Sequence, residues 1–210
     1  MARPQTDREA IREQILDCAE QLVRERGPVA PTVTDIAAAC GMSQSNVYRF
    51  FPNKEALFEA FAERWFQELN DIMEEVVESD LAPREKLYQF FARRLVVKQA
   101  RYAEDPDYFD SCMALGEEHH DVVISYVDLA DHYMAVILSE AISAGEFPGM
   151  SIDRMMNLVN MMLAPFCDPV LMIRYKGATP ENLRIIIDTI FDGLAEGAAE
   201  RQREPLKLAS

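Results

Sequence analysis

The chain has 210 residues, 49% of them hydrophobic, and a formal net charge of −15. That length holds one large domain or a small one with a medium one, and the apolar share is enough for a real core. The acidity argues against contact with DNA or anionic lipid by the chain as a whole, and eight glycines with few alternating β-branched runs argue against an all-β fold.

The charge is unevenly spread. Residues 1–55 carry seven Lys/Arg against eight Asp/Glu, a net of −1, which leaves −14 for residues 56–210. A near-neutral N-terminal part with basic residues at its edges therefore precedes a strongly acidic remainder. Met1 to Ala10 is polar and lacks the apolar core of a signal peptide. Leu158 to Ile173, read as the most apolar stretch, contains Asn160, Pro165, Asp168 and Pro169 and is not expected to span a bilayer. Cys18, Cys40, Cys112 and Cys167 show no paired spacing and are expected as buried thiols in a reducing, cytoplasmic compartment.

A first helix is predicted from about Asp7 to Arg26, with Ile11, Ile15, Leu16, Ala19, Leu22 and Val23 on one face and Gly27-Pro28 ending it. Residues Thr32 to Phe51 then read as two short helices joined by a glycine turn. Thr32 with Asp35 three residues later makes a capping box, and Ser43 caps the second helix. Ala37 is small enough for a close helix crossing, Gly41 supplies a positive φ, and Val47 faces Ile36 across the angle. Polar Gln44, Ser45 and Asn46 on the first turn of that second helix suit it to the major groove of DNA.

Pro52 closes this unit, and Asn53 caps a fourth helix from Lys54 to roughly Glu78. Further helices are predicted from Ala82-Pro83 to about Ala100, from Pro106 to about Leu115, and from about His119 to Ala144, stopping at Gly145. Ser151 caps a methionine-rich helix interrupted near Pro165 and Pro169, and Thr179-Pro180 opens a last helix to about Glu200. The expectation is an all-α fold of about nine helices. An N-terminal three-helix domain (1–53) carries the helix-turn-helix, a larger helical domain follows (54–200), and 201–210 form a flexible tail.

This arrangement resembles the TetR family of bacterial transcription regulators. The resemblance is carried by Ile36-Ala37, Gly41-Met42-Ser43, Val47-Tyr48 and, above all, the run Tyr48-Arg49-Phe50-Phe51-Pro52-Asn53-Lys54-Glu55-Ala56-Leu57. Ser45 stands where the family often has glycine, and Phe50 where His or Tyr is commoner. The resemblance implies a ligand-responsive regulator, by expectation a repressor. It would bind a near-palindromic operator in double-stranded DNA as a homodimer and be released by a small molecule. A helix-turn-helix activator, or a regulator controlled by a protein partner, are the alternatives.

Candidate DNA-binding residues are Thr34, Gln44, Ser45, Asn46, Tyr48, Arg49 and Lys54. Gln and Asn pair bidentately with adenine, Tyr48 and Arg49 suit the backbone, and Arg49 also reaches guanine. The resemblance makes Lys54 a phosphate contact beside a helix N-terminus. It also implies a two-fold bundle of the last two helices through Leu158, Val159, Met162, Leu163, Ile186, Ile187, Ile190, Phe191 and Leu194; otherwise these fill the protomer core.

An effector pocket, expected for a lipophilic or aromatic molecule, has candidates in Tyr102, Tyr108, Phe109, Met113, Tyr126, His132, Tyr133 and Met162, together with Phe90 and Leu95. Polar Asp128 and Asn160 are further hints. Glu117 and His120 have the Glu-x-x-His spacing of di-iron bundles, a remote alternative as a metal-dependent helical enzyme, but no second copy exists. Adjacent His119 and His120 otherwise read as solvated groups at a helix start. No catalytic constellation, cofactor fingerprint or membrane anchor is legible, so no enzyme activity and no cofactor are expected.

Overall fold

The computed structural model describes residues 5–27 and 29–197, with side chains described for 8–27 and 29–193. Among the described residues the chain is all helical, with ten helices. They are α1 (Gln5–Arg26), α2 (Val33–Ala39), α3 (Gln44–Val47), α4 (Lys54–Glu78), α5 (Pro83–Glu104), α6 (Pro106–Glu118), α7 (His120–Ser143), α8 (Ile152–Cys167), α9 (Pro169–Arg174) and α10 (Pro180–Gly197). Pro28, the expected end of α10 at Glu200 and the expected tail at 201–210 lie outside the described residues.

The helix starts follow local capping chemistry. Asn53 Oδ1 accepts from Ala56 N at 2.7 Å to open α4, and Asp105 Oδ1 accepts from Tyr108 N at 3.0 Å to open α6. Ser151 does the same for α8 through Arg154 N. Two of the ends that differ from the sequence reading have a clear cause. α5 runs a turn past Ala100, because Arg101 is anchored by donating to the Trp65 carbonyl and to Glu68, each at 2.7 Å. α8 passes through Pro165 and breaks only at Asp168, whose extended backbone and side-chain bond to Leu171 N start α9. The carbonyl that Pro165 deprives of its donor belongs to Met161, a residue on the exposed side of the helix.

The chain divides into two compact units, residues 1–68 with 100–128, and residues 69–99 with 129–210. The first is built on Ile15, Leu16, Ala19, Leu22, Ile36, Ala37, Val47, Phe51 and Leu57, with Ile11 partly buried against them. A second cluster in the same unit gathers Val23, Phe58, Tyr108, Cys112 and Leu115. In the other unit the buried apolar side chains come mainly from α5, α7, α8 and α10, including Leu87, Phe90, Leu95, Ile137, Leu163 and Leu183.

All four cysteines are free, and only Cys112 is fully buried; Cys18, Cys40 and Cys167 keep partial exposure, contrary to the expectation of four buried thiols. Among the described residues α7, not the Leu158–Ile173 stretch, is the helix long and apolar enough by length and composition to cross a membrane. Asp128 and Asp131 near its middle would be costly in hydrocarbon, and its C-terminal half packs Met134, Ile137, Leu138 and Ala141 into the second unit.

Candidate nucleic-acid interface

The capping box at the start of α2 is complete. Thr32 N donates to Asp35 Oδ2 at 3.0 Å, and Asp35 N donates to Thr32 Oγ1 at 3.2 Å. Arg26, at the end of α1, adds an ion pair to Asp35 at 2.9 Å. Hydrogen bonding to Thr32, then to Arg26, lowers the Asp35 carboxyl to about 2. The same carboxylate thus closes the first turn of α2 and ties it to α1.

At the other end of α2, Met42 N donates to Ala37 O at 2.8 Å and Gly41 N to Ala38 O at 3.1 Å. This is a Schellman cap, and Gly41 takes the left-handed position in it, with φ of +64°. No heavy atom lies within 4 Å of where a Cβ on Gly41 would stand, so backbone conformation, not space, calls for glycine. Ser43 then accepts from Asn46 N at 3.3 Å and opens α3. Val47 and Ile36 are fully buried in one cluster with Ala37, fixing the angle between the two helices.

Packing Val47 inward turns the opposite side of α3 outward. Gln44, Ser45, Tyr48 and Arg49 are exposed, and Asn46 is half-buried. Tyr48 is 45% exposed, so it is displayed rather than used as core. Gln44 Nε2 donates to Thr34 Oγ1 at 2.6 Å, which joins two of the candidate contacts to each other. Ser45 Oγ lies 3.1 Å from Ser43 Oγ. α3 ends at Val47, and the chain continues in turns through Phe50. Phe50, expected on the recognition helix, instead packs against the core cluster. Arg12 from α1 covers the Phe51 ring at 4.7 Å, a support that its place on the polar face of α1 did not announce.

Lys54 sits at the first position of α4 with its ammonium 5.1 Å from the Phe58 ring centroid. Phe58 also stacks on His119, centroids 4.2 Å apart, and the His119 Nε2 is buried without a hydrogen-bond partner. His119 is therefore a packed residue, not the solvated one expected from sequence, while His120 is exposed.

Family models match two stretches of this chain. Residues 15–61 match the one described as bacterial regulatory proteins, tetR family, and residues 83–182 the one described as tetracyclin repressor-like, C-terminal domain. The chain belongs to the TetR family. It is a helix-turn-helix transcriptional regulator, and α2, Gly41 and α3 are its TetR helix-turn-helix. Among its relatives, it is 26% identical over 144 residues to the HTH-type transcriptional repressor KstR2 of Mycolicibacterium smegmatis, covering 68% of this chain and 70% of the relative. It is 22% identical over 178 residues to the uncharacterized HTH-type transcriptional regulator YvaF of Bacillus subtilis, covering 83% and 90%. A transcriptional regulator from Pseudomonas aeruginosa of known structure shares the fold, with a TM-score of 0.64, 17% identity and coverage of 93% and 95%.

The remaining expected site residues of this TetR chain fall in two groups. In the first unit, Tyr102 and Phe109 meet edge-on at 5.6 Å, Trp65 contacts Tyr108 and Phe109, and Tyr126 stacks on Phe66 at 4.4 Å. Met113 packs against the cluster containing Tyr108. In the second unit His132 lies beside Tyr133, and Met162 is exposed. Tyr108 lines a cleft of about 330 Å³ with Glu20, Arg24, Phe61, Arg64, Trp65, Arg101, Glu104 and Asp105. The arginines there are internally paired, Arg24 with Glu20 and Asp105, Arg64 with Asp17, and Arg101 with Glu68. Among the described residues no three His, Cys, Asp or Glu side chains are grouped to hold a metal ion, so Glu117, His120 and Asp121 or Asp128 do not form such a set.

Val159, Leu163, Ile187, Ile190 and Phe191, expected at a dimer face, are fully packed inside the protomer. Leu158 and Ile186 are half-buried, and the Leu194 side chain lies outside the described residues. Among the described residues, the large apolar side chains that α8 and α10 leave exposed are Met161 at 77%, Met162 at 42% and Ile185 at 62%.

Proposed function

We propose that this TetR regulator is a repressor. As a homodimer it binds a near-palindromic operator, and a small molecule taken up by its C-terminal region releases it. The observation that carries this reading is the doubly capped helix-turn-helix, which buries Val47 and displays Gln44, Ser45, Tyr48 and Arg49 on one side of a short, fixed helix. Residues 1–53 serve as the DNA-binding domain and 54–200 as the effector and dimerisation domain. Gln44 and Asn46 read base edges, while Thr34, Tyr48, Arg49 and Lys54 hold the backbone, and Ser45 sits between the two sets. A single short helix covers few base pairs, so two copies on half-sites spaced by multiples of about 34–36 Å are required. Met161, Met162 and Ile185, with half-buried Leu158 and Ile186, supply the apolar face for that pairing. Such a protein works in the cytoplasm, with DNA.

The test is a gel shift of the purified protein on the DNA flanking its own gene, followed by a screen for compounds that release the complex. A shift abolished by competitor carrying the same inverted repeat, and reversed by a small molecule, is expected. Failure to select any operator from random DNA would overturn the proposal.

A further inference from the structure

The face of α5 that packs inward carries Leu87, Phe91, Arg94 and Lys98, spaced four, three and four residues apart. On a core-facing helix the last two positions call for apolar residues. Instead they hold two cations one turn apart. Lys98 is 7% exposed, and the Nε of Arg94 is sealed from solvent with no hydrogen-bond partner. Arg94 as a residue is half-buried.

Neither cation has a carboxylate partner among the described residues. Arg94 lies over the Phe90 ring at 4.7 Å, and its buried Nε has no hydrogen-bond partner among the described residues. Lys98 uses one donor, to the Cys167 carbonyl at 2.6 Å at the end of α8, which leaves two of its three without an acceptor among the described residues. The nearest acids are turned elsewhere. Asp131, toward Arg94, accepts from Asn160, and Asp168, toward Lys98, caps α9 by accepting from Leu171 N at 2.8 Å. The Cys167 thiol, the other titratable neighbour, is pushed up by burial and stays neutral. Two like charges at this spacing repel, and burial without a partner is costly for each. Burial lowers both groups, Arg94 to about 10 and Lys98 to about 7. An arrangement so unfavourable is relieved by an anion that spans the guanidinium and the ammonium.

We propose that Arg94 and Lys98 form a binding site for the carboxylate of a small organic acid with an apolar body. The guanidinium fork takes the two oxygens, Lys98 adds a second charge, and Phe90 with the buried Leu95 furnishes apolar surroundings. This narrows the effector class and rests on the regulator reading above.

The probe is octanoate, titrated by calorimetry into the full-length protein, with octanol and inorganic phosphate as controls. Octanoate is expected to bind at least about tenfold more tightly than octanol or phosphate, the effect of one charge-assisted hydrogen bond. Arg94→Met and Lys98→Met should each weaken octanoate by about tenfold or more and leave octanol unchanged, and Arg94→Lys should retain part of the affinity. Arg94→Met removes an unpaired buried charge, so its unfolding temperature should equal or exceed the wild type, which separates lost binding from lost folding. Octanoate binding no better than octanol or phosphate, or unaffected by Arg94→Met, overturns the site. Operator release is scored separately by gel shift. Arg94-dependent octanoate binding that leaves the DNA complex intact sustains the site and removes its effector role. Absence of octanoate binding, with release by a neutral compound, removes the site and leaves the regulator reading intact.

Discussion

Gln44 on α3 donates its side-chain amide to the hydroxyl of Thr34 on α2, 2.6 Å away, and so bridges the two arms of the helix-turn-helix. The amide is held in one orientation before DNA arrives. If Gln44 reads adenine while Thr34 steadies it or meets phosphate, the two side chains act as a unit. A double-mutant cycle with Thr34→Val and Gln44→Ala should then show a coupling of about 0.5–3 kcal/mol in operator affinity. Additive losses would separate the two residues.

Lys54 and Asn46 should fail in different ways. Lys54→Ala is expected to weaken binding to operator and unrelated DNA alike and to lower the slope of log affinity against log salt by about one. Asn46→Ala should instead relax base preference at one position, at about 1–3 kcal/mol for a lost bidentate contact. An unchanged salt slope for the first, or the same selected operator for the second, removes that residue from the contact set.

Gly41→Ala tests backbone conformation alone, because a Cβ there meets nothing within 4 Å and only the φ of +64° resists it. The cost should be about 1–2 kcal/mol in denaturant unfolding. Gly41→Asn should cost less, since asparagine tolerates that region. Equal costs would point to a steric cause.

The protomer buries Val159, Ile187 and Phe191 in its own core and exposes Met161 and Ile185. Ile185→Glu and Met161→Glu should therefore convert a dimer to monomer in light scattering at micromolar concentration, with little change in helical content. A wild-type protein that is monomeric under those conditions would defeat the dimer assignment.

Lys98 gives a pH signature. Burial, with Arg94 next to it, brings its ammonium to about 7 from the ordinary 10.5. The unfolded chain holds that proton through neutral and mildly alkaline pH, and the folded chain gives it up above about 7. Stability therefore rises with pH from 7 upward on this account, by at most about 1.4 kcal/mol per unit for one proton. Burial pushes the Cys40 and Cys112 thiols up to about 12, which lowers stability as pH rises through 9.0, so pH 7 to 8.5 is the useful range. Lys98→Met should flatten the rise seen in wild type. Parallel profiles would mean that Lys98 keeps its proton.

What the sequence disclosed was set by local chemistry. The capping box at Thr32 and Asp35, Ser43, and the start of α4 after Asn53 depend on side chains within three residues of the backbone groups they satisfy, and all are present. The extension of α5 was not legible, because Arg101 is fixed by Trp65 and Glu68 on another helix. His119 was misread for the same reason, its partner Phe58 being remote in sequence. α8 and α10 carry apolar residues on more than one side, and periodicity does not say which side turns inward, so it leaves open whether Val159 and Phe191 face a partner or fill the protomer core. The candidate DNA contacts follow from local capping, which settles which side of α3 is free; their use on DNA rests on the experiments above.

The four-residue α3 is too short to persist as an isolated helix and owes its order to Ser43 at one end and the buried Val47 at the other. A surface assembled in this way meets its partner already folded. Association should then lose little chain entropy on the protein side, and its heat-capacity change should match the apolar area covered, without the larger contribution of a segment that folds as it binds.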